Sequence, residues 1–185
     1  MLFRSGHPAL ELAFATANSQ SGTTMEVAGG ARVPLIATED APLQQAALVF
    51  SSLPHGASAT WVGRARDVGA RVVDLSSDLR IGNGPAAAGI PYGLTEVRRD
   101  QVRDARVVAN PGCYPTATLL GVLPLVEQGL VAPGATISVA AASGVTGAGL
   151  TPRLDLLFGE VTENYRAYGV GNTHRHLNEM RDRKS

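Results

Sequence analysis

Apolar residues in this chain gather into short, nearly unbroken runs, and each run ends in a polar turn. The runs are Leu12 to Ala17, Ala46 to Phe50, Arg71 to Leu75, Arg106 to Ala109 and Thr136 to Ala142. Their turns are Asn18-Ser19, Ser51-Ser52-Leu53-Pro54-His55-Gly56, Ser76-Ser77-Asp78, Asn110-Pro111-Gly112 and the stretch from Ser143 to Gly149. Runs without polar alternation predict strands covered on both faces, as in a parallel sheet. Residues 57–68 read as a helix with Ser58 near its start, and such a spacer between buried strands predicts a βαβ unit. A further helix is expected after Gly112-Cys113, where Leu119, Leu120, Leu123 and Val126 recur at helical spacing. Tyr114-Pro115 opens it, because the first turn does not use the N–H that proline lacks. Pro124 is expected to kink that helix or end it early.

The polar turns all follow strand ends. In open α/β sheets ligands bind there, where strand carboxyl ends and helix amino ends face one crevice. Composition narrows the picture. Hydrophobic residues make up 44% and charged ones 17%, a globular balance. Sixteen basic residues offset sixteen acidic ones, so no net charge calls for nucleic acid or an anionic membrane. The 21 glycines and 11 prolines among 185 residues imply many tight turns. A single cysteine rules out an intramolecular disulfide and suits a reducing, cytoplasmic setting. No apolar stretch reaches the roughly 20 residues that span a bilayer, and Met1 to Gly6 lacks the apolar core of a signal peptide.

That cysteine, Cys113, falls at the amino end of the expected helix. Unpaired N–H groups and the helix dipole there favour an anion, and therefore the thiolate. Gly112 lets the chain turn sharply and approach a substrate. The competing reading is a small buried residue, since free cysteine is among the most buried types. His174-Arg175-His176, with Glu179 beyond, holds the types a thiolate enzyme needs: imidazoles to move protons, a guanidinium for an anion and a carboxylate to orient. Alone, the same run reads as a solvated polar turn. Gly144, Gly147 and Gly149 follow a run in the order G-x-x-G-x-G, which reverses the dinucleotide fingerprint. They read instead as a loop of backbone N–H groups for an anion or for the nicotinamide end of a cofactor. One cysteine and four histidines give no metal-ligand pattern, so no metal is expected.

Taken in order, these residues resemble the N-acetyl-γ-glutamyl-phosphate reductase family, relatives of aspartate-semialdehyde dehydrogenase. The resemblance runs from about His7 to Glu179. Its most specific marker is Asn110-Pro111-Gly112-Cys113-Tyr114-Pro115-Thr116. Further matches are Leu53 to Gly56, Val73 to Arg80, Tyr92-Gly93-Leu94, Ser143 to Gly149, Glu163-Asn164 with Tyr168, and His174 to His176. Thr95, Thr146 and Asn178 stand where the family usually has proline, serine and proline, which bears on loop shape and not on the chemistry.

The resemblance implies an incomplete Rossmann-type NADP-binding domain over 1–112, then the start of an α+β catalytic domain like that of glyceraldehyde-3-phosphate dehydrogenase over 113–185. It implies that family members carry a first strand and glycine-rich turn before the segment matching Leu2 to His7, and more of the catalytic sheet after the histidine motif. The chain therefore reads as a central stretch of the enzyme, with Met1–Gly6 and Arg183–Ser185 foreign to the family. The implied chemistry is reduction of N-acetyl-γ-glutamyl phosphate by NADPH through a thioester on Cys113. His174 is the expected base and His176 the second choice. Asn110, Ser143, Gly144, Arg175 and Glu179 are expected at the substrate, with Glu179 orienting an imidazole. Ser19, Ser51, Pro54, His55, Ser76, Asp78 and Gly147 are expected along the cofactor, Ser19 at the 2′-phosphate. A homo-oligomer is implied as well. Two rivals remain: an aminoadipyl-phosphate reductase of lysine synthesis, which shares these motifs, and a non-catalytic remnant.

Overall fold

The computed structural model describes residues 7–27, 30–149 and 151–181. The expectations for Met1–Gly6 and Arg183–Ser185 lie outside them. Among the described residues there are six strands: β1 (Ala15–Thr16), β2 (Thr24–Glu26), β3 (Arg32–Ile36), β4 (Leu48–Ser51), β5 (Arg71–Asp74) and β6 (Val107–Ala109). The α-helices are α1 (Ser58–Asp67), α2 (Thr95–Asp104), α3 (Cys113–Glu127), α4 (Phe158–Val161) and α5 (Leu177–Arg181).

The organising unit is the parallel sheet β4-β5-β6. Val72 and Val107 lie in it with α1 packed against β5 and β4, and Val62, Ala65, Ala70, Leu79 and Ala109 complete the core. Val62 and Ala65, three residues apart, share one helix face, so a short stripe suffices to seat α1. The first turn of α1 is capped from a distance. Asp78 Oδ1 accepts the Gly56 N–H at 2.7 Å, and Oδ2 accepts those of Ser58 at 2.9 Å and Ala59 at 3.3 Å. A carboxylate there answers both the unpaired donors and the dipole. Pro91 to Gly93 adds a short parallel edge beyond β6, through Gly93 N–H to Ala109 O and Ala109 N–H to Pro91 O. Gly93 has to be glycine, because a Cβ would come within 2.7 Å of Val108 Cγ1.

Four of the five apolar runs contain a strand: β1, β4, β5 and β6. The fifth, Thr136 to Ala142, is no strand; it is exposed and carries no regular structure. No described strand pairs with it, and an apolar run without a ladder partner cannot satisfy its backbone as a strand. A second sheet, β1-β3-β2, was not foreseen. In it β1 runs parallel to β3 and β2 antiparallel. Its strands are short, carry few buried residues, and include Pro34, which hides the usual pattern. Helix α2 was not foreseen either; it buries none of its residues. Helix α3 starts where expected and continues three residues past Pro124 to Glu127, so the proline ends it late. No described helix is long and apolar enough to cross a membrane.

Candidate active site

The carboxyl ends of β4, β5 and β6 deliver Ser51, Asp74 and the Asn110-Pro111-Gly112 turn to one edge. Asp74 is fully buried at that edge. Its Oδ1 accepts Ser58 Oγ at 2.5 Å and the Ser76 N–H at 3.1 Å, and its Oδ2 accepts Ser76 Oγ at 2.8 Å. Ser51 Oγ lies 2.5 Å from Ser58 Oγ. Ser51, Ser76 and Asp78 are thus engaged with the protein itself, where they shape the turns after β4 and β5. Pro54 and His55 stand exposed on the first of those turns. His55 Nδ1 accepts the Ser77 N–H at 2.9 Å. Partial burial and then the positive charge of Arg175 and Arg80 hold its pKa below the usual imidazole value. Ser19 is exposed in a turn after β1, and its neighbour Asn18 accepts the Thr38 N–H.

From β6 the chain enters α3 through a tightly held corner. Asn110 N–H donates to Asp74 O at 2.8 Å, and Asn110 O accepts Arg80 Nε at 2.9 Å. Arg80 Nη2 also reaches Leu75 O at 3.0 Å. Thr116 caps the corner by donating N–H and Oγ1–H to Gly112 O. Cys113 is the first residue of the 15-residue α3 and is exposed. Its thiol therefore sits in the positive field of the helix amino terminus while remaining accessible.

The two histidines differ in setting. His176 is only 4% exposed, and its ring lies flat against Gly112: a Cβ there would fall 2.7 to 2.9 Å from three ring atoms. Glycine at 112 is what allows an imidazole beside the backbone that leads into Cys113. His176 Nε2 is 3.5 Å from Arg80 Nη1, and its Nδ1 is buried with no hydrogen-bond partner. Burial is the main reason its pKa drops to about 4, with the charges of His174, Arg175 and Arg80 adding to it and that of Glu179 opposing. His176 is therefore neutral near pH 7. His174 is half-buried, and its Nδ1 accepts the His176 N–H at 3.2 Å. In the neutral ring this leaves Nε2 carrying the proton. The imidazole centroids are 4.7 Å apart. Tyr114 meets His174 edge-on at 5.2 Å, and Tyr168 lies 5.6 Å from the same ring. Tyr168 donates to the Tyr114 hydroxyl, and burial, then that hydrogen bond, pushes its pKa up to about 12.

Glu179 does not touch either imidazole by a hydrogen bond. Its buried carboxylate accepts the Tyr92 hydroxyl at 2.6 Å and the Gly112 N–H at 3.0 Å through Oε2, and Arg80 Nη1 at 3.3 Å through Oε1. Burial and this hydrogen bond raise the Tyr92 pKa, so Tyr92 stays a donor. Arg80 and Tyr92 went unassigned in the sequence. Both lie inside the matched stretches Val73 to Arg80 and Tyr92 to Leu94, and no local pattern marks either as buried.

Cys113, Tyr114, His174, Arg175, Ser143 and Gly147 line one broad, open cleft. On its far side Val145–Ala148 forms a 3-10 turn, with Gly147 so close to Ser143 that a Cβ would lie 2.5 Å from Oγ. Asn110 lies at the corner, its Nδ2 donating to Pro111 O. Cys113, His174, Arg175, His176, Ser143 and Gly144 thus line the same open cleft, Asn110 lies at the corner beside it, and Ser19 stands on a separate strand end.

Residues 1–105 match the family described as semialdehyde dehydrogenase, NAD binding domain, and residues 113–185 match semialdehyde dehydrogenase, dimerisation domain. Among curated relatives, the N-acetyl-gamma-glutamyl-phosphate reductase of Marinobacter nauticus is 40% identical over 194 residues, covering 95% of this chain and 56% of the relative. The enzyme of the same name from Geobacter metallireducens is 42% identical over 151 residues, covering 74% of this chain and 43% of the relative. The chain spans about half the length of the curated relatives it matches. Among solved structures, aspartate semialdehyde dehydrogenase II from Vibrio cholerae, complexed with ASA, aligns with a TM-score of 0.55 at 25% identity. That alignment covers 65% of this chain and 38% of the other.

Proposed function

The chain belongs to the semialdehyde dehydrogenase family, and we propose that Cys113 is the nucleophile of an NADP-linked reductase. Its proposed reaction converts N-acetyl-γ-glutamyl phosphate to N-acetyl-glutamate 5-semialdehyde and phosphate in arginine biosynthesis. The observation that carries this reading is the exposed thiol at the first residue of α3, on a corner whose glycine admits the His176 ring.

The chemistry follows from that placement. Exposed at the helix terminus, Cys113 attacks the acyl carbon as its thiolate. The carbon–oxygen bond to phosphate breaks, phosphate leaves with the electron pair, and a thioester remains on Sγ. A bound nicotinamide would supply the hydride that reduces this thioester. Hydride addition leaves a thiohemiacetal oxyanion, which is protonated by a histidine; that histidine takes the proton back as the carbon–sulfur bond breaks, the aldehyde forms and the thiolate is released. The His174–His176 pair handles that proton: His176 is neutral and buried, and His174 lines the cleft with its Nδ1 engaged by the His176 N–H, which leaves Nε2 for the exchange. Arg175 and the loop from Ser143 to Gly149, with Gly144 and Gly147, hold the anionic groups of the substrate.

A cofactor fits the edge where β4 and β5 end. Pro54 and His55 offer an exposed turn there, while the Asp74 network with Ser51, Ser76 and Asp78 fixes its shape. Ser19, exposed after β1, is proposed to meet the 2′-phosphate of NADP. The unit division at 112/113, assembly as a homo-oligomer and a cytoplasmic setting belong to the same reading.

The test is phosphate-dependent oxidation of N-acetyl-glutamate 5-semialdehyde with NADP. Cys113→Ser is expected to remove activity by about a thousandfold or more, since no other thiol can form the thioester. Activity retained in that variant would sink the assignment. A panel that includes the aminoadipyl analogue separates the arginine enzyme from its lysine-pathway rival. His174→Asn and His176→Asn, assayed side by side, identify the proton carrier.

A further inference from the structure

Glu179 is bound to three groups from three different parts of the chain. Tyr92 comes from the edge beyond β6, Arg80 from the turn after β5, and Gly112 from the corner that launches α3. Glu179 itself is 5% exposed and Arg80 is 5% exposed. A carboxylate so placed is retained only with its partners, since either charge alone would be costly to bury. Arg80 spends its remaining donors on Asn110 O and Leu75 O, so the pair is wired into the same corner from both sides.

The Gly112 N–H immediately precedes the Cys113 residue and points into this pair. We propose that Glu179 is a positioning residue for Cys113: its carboxylate fixes the Gly112 corner from which α3 starts and offsets the charge of Arg80 there. This rests on Cys113 being the reactive residue, but not on what it reacts with. The other titratable groups in the cleft that Cys113 lines include Tyr114, Tyr168, His174, Arg175 and His176.

Because Cys113 is the only cysteine, its alkylation by iodoacetamide reports on this site alone, and it needs neither acyl phosphate nor cofactor. Rates are measured from pH 5 to 10 on the chain and on variants verified as folded by circular dichroism. Glu179→Gln leaves Arg80 uncompensated and is expected to raise the rate at pH 7 at least about threefold, through a lowered thiol titration midpoint. Arg80→Met leaves Glu179 uncompensated and is expected to lower it by at least about threefold. The double variant is expected to return to within about twofold of the parent. Shifts of the same sign, or profiles that superimpose on the parent, would overturn the proposal.

Glu179→Asp keeps the charge, the most conservative change, and serves if the other variants do not fold. It withdraws the carboxylate from Gly112 by one methylene. Amide exchange at Gly112 and Cys113 is then expected to rise at least about tenfold while β5 amides hold, and unchanged exchange there would equally overturn the proposal. Loss of reductase activity, by contrast, says nothing against it.

Discussion

The sheet β4-β5-β6 with α1 and the stretch from 132 to 173 have comparable appetites for apolar residues and opposite fates. In the first, Ala65 is 0% and Val72 1% exposed. In the second, Leu154 is 84%, Phe158 82% and Tyr165 82% exposed. The difference is partnership. Each strand of the first region has a ladder neighbour, and α1 covers β4 and β5, so burial and backbone pairing reinforce each other. Thr136 to Ala142 has the composition of a strand and no described neighbour to pair with. The candidate site lies on the boundary. Its thiol is launched from the ordered side, and its histidines come from the end of the open side, drawn in by the Arg80–Glu179–Tyr92 contacts.

Substitutions can break that comparison, and the largest effect is expected at Asp74. Asp74→Ala strands Ser58 and Ser76 donors in a buried site and is expected to cost about 3 kcal/mol in urea unfolding. A loss under about 1 kcal/mol would mean the network is not what orders the strand ends. Val72→Ala removes buried methyl groups from the central strand β5, on which α1 packs, at a cost of about 2 kcal/mol by the same measurement.

Next in size is an acid sensitivity at the boundary. The His176 pKa is depressed to about 4 from an ordinary value near 6.5. The unfolded chain therefore takes up this proton first as pH falls. Its contribution to stability is complete above about pH 7 and is lost progressively from about pH 6.5 toward pH 4. His176→Gln is expected to flatten that part of the slope, and an unchanged slope between pH 7.5 and 5 would show that His176 is not held neutral. The smallest effect is expected in the open stretch. Phe158→Ala should alter stability by less than about 0.5 kcal/mol, against the Val72 result, and a large loss would mean that this ring is covered after all.

The sequence made the buried parallel unit legible because its runs are unbroken and its spacer is one helix long. Ser58, Cys113 and the corner at Gly112 were readable for the same local reasons. What escaped depends on distance. Glu179 meets Gly112 across 67 residues, and Asp78 caps α1 from 20 residues beyond Ser58; no local pattern encodes either pairing. Glu179 was expected to steer an imidazole, the usual partner of a carboxylate near histidine, whereas the fold offers it a buried guanidinium, a phenol and a backbone N–H. Thr136 to Ala142 failed in the other direction, since strand composition cannot say whether a neighbouring strand is present. The β2–β3 hairpin was hidden by exposed positions and Pro34.

The central claim is that Cys113 takes the acyl group from phosphate. Mass spectrometry after incubation with N-acetyl-γ-glutamyl phosphate, without cofactor, tests it directly. The account predicts one N-acetylglutamyl group on the Cys113 peptide, phosphate released in equal amount, and no adduct in Cys113→Ser. A folded protein that gains no acyl group, or gains it equally in Cys113→Ser, would contradict the account.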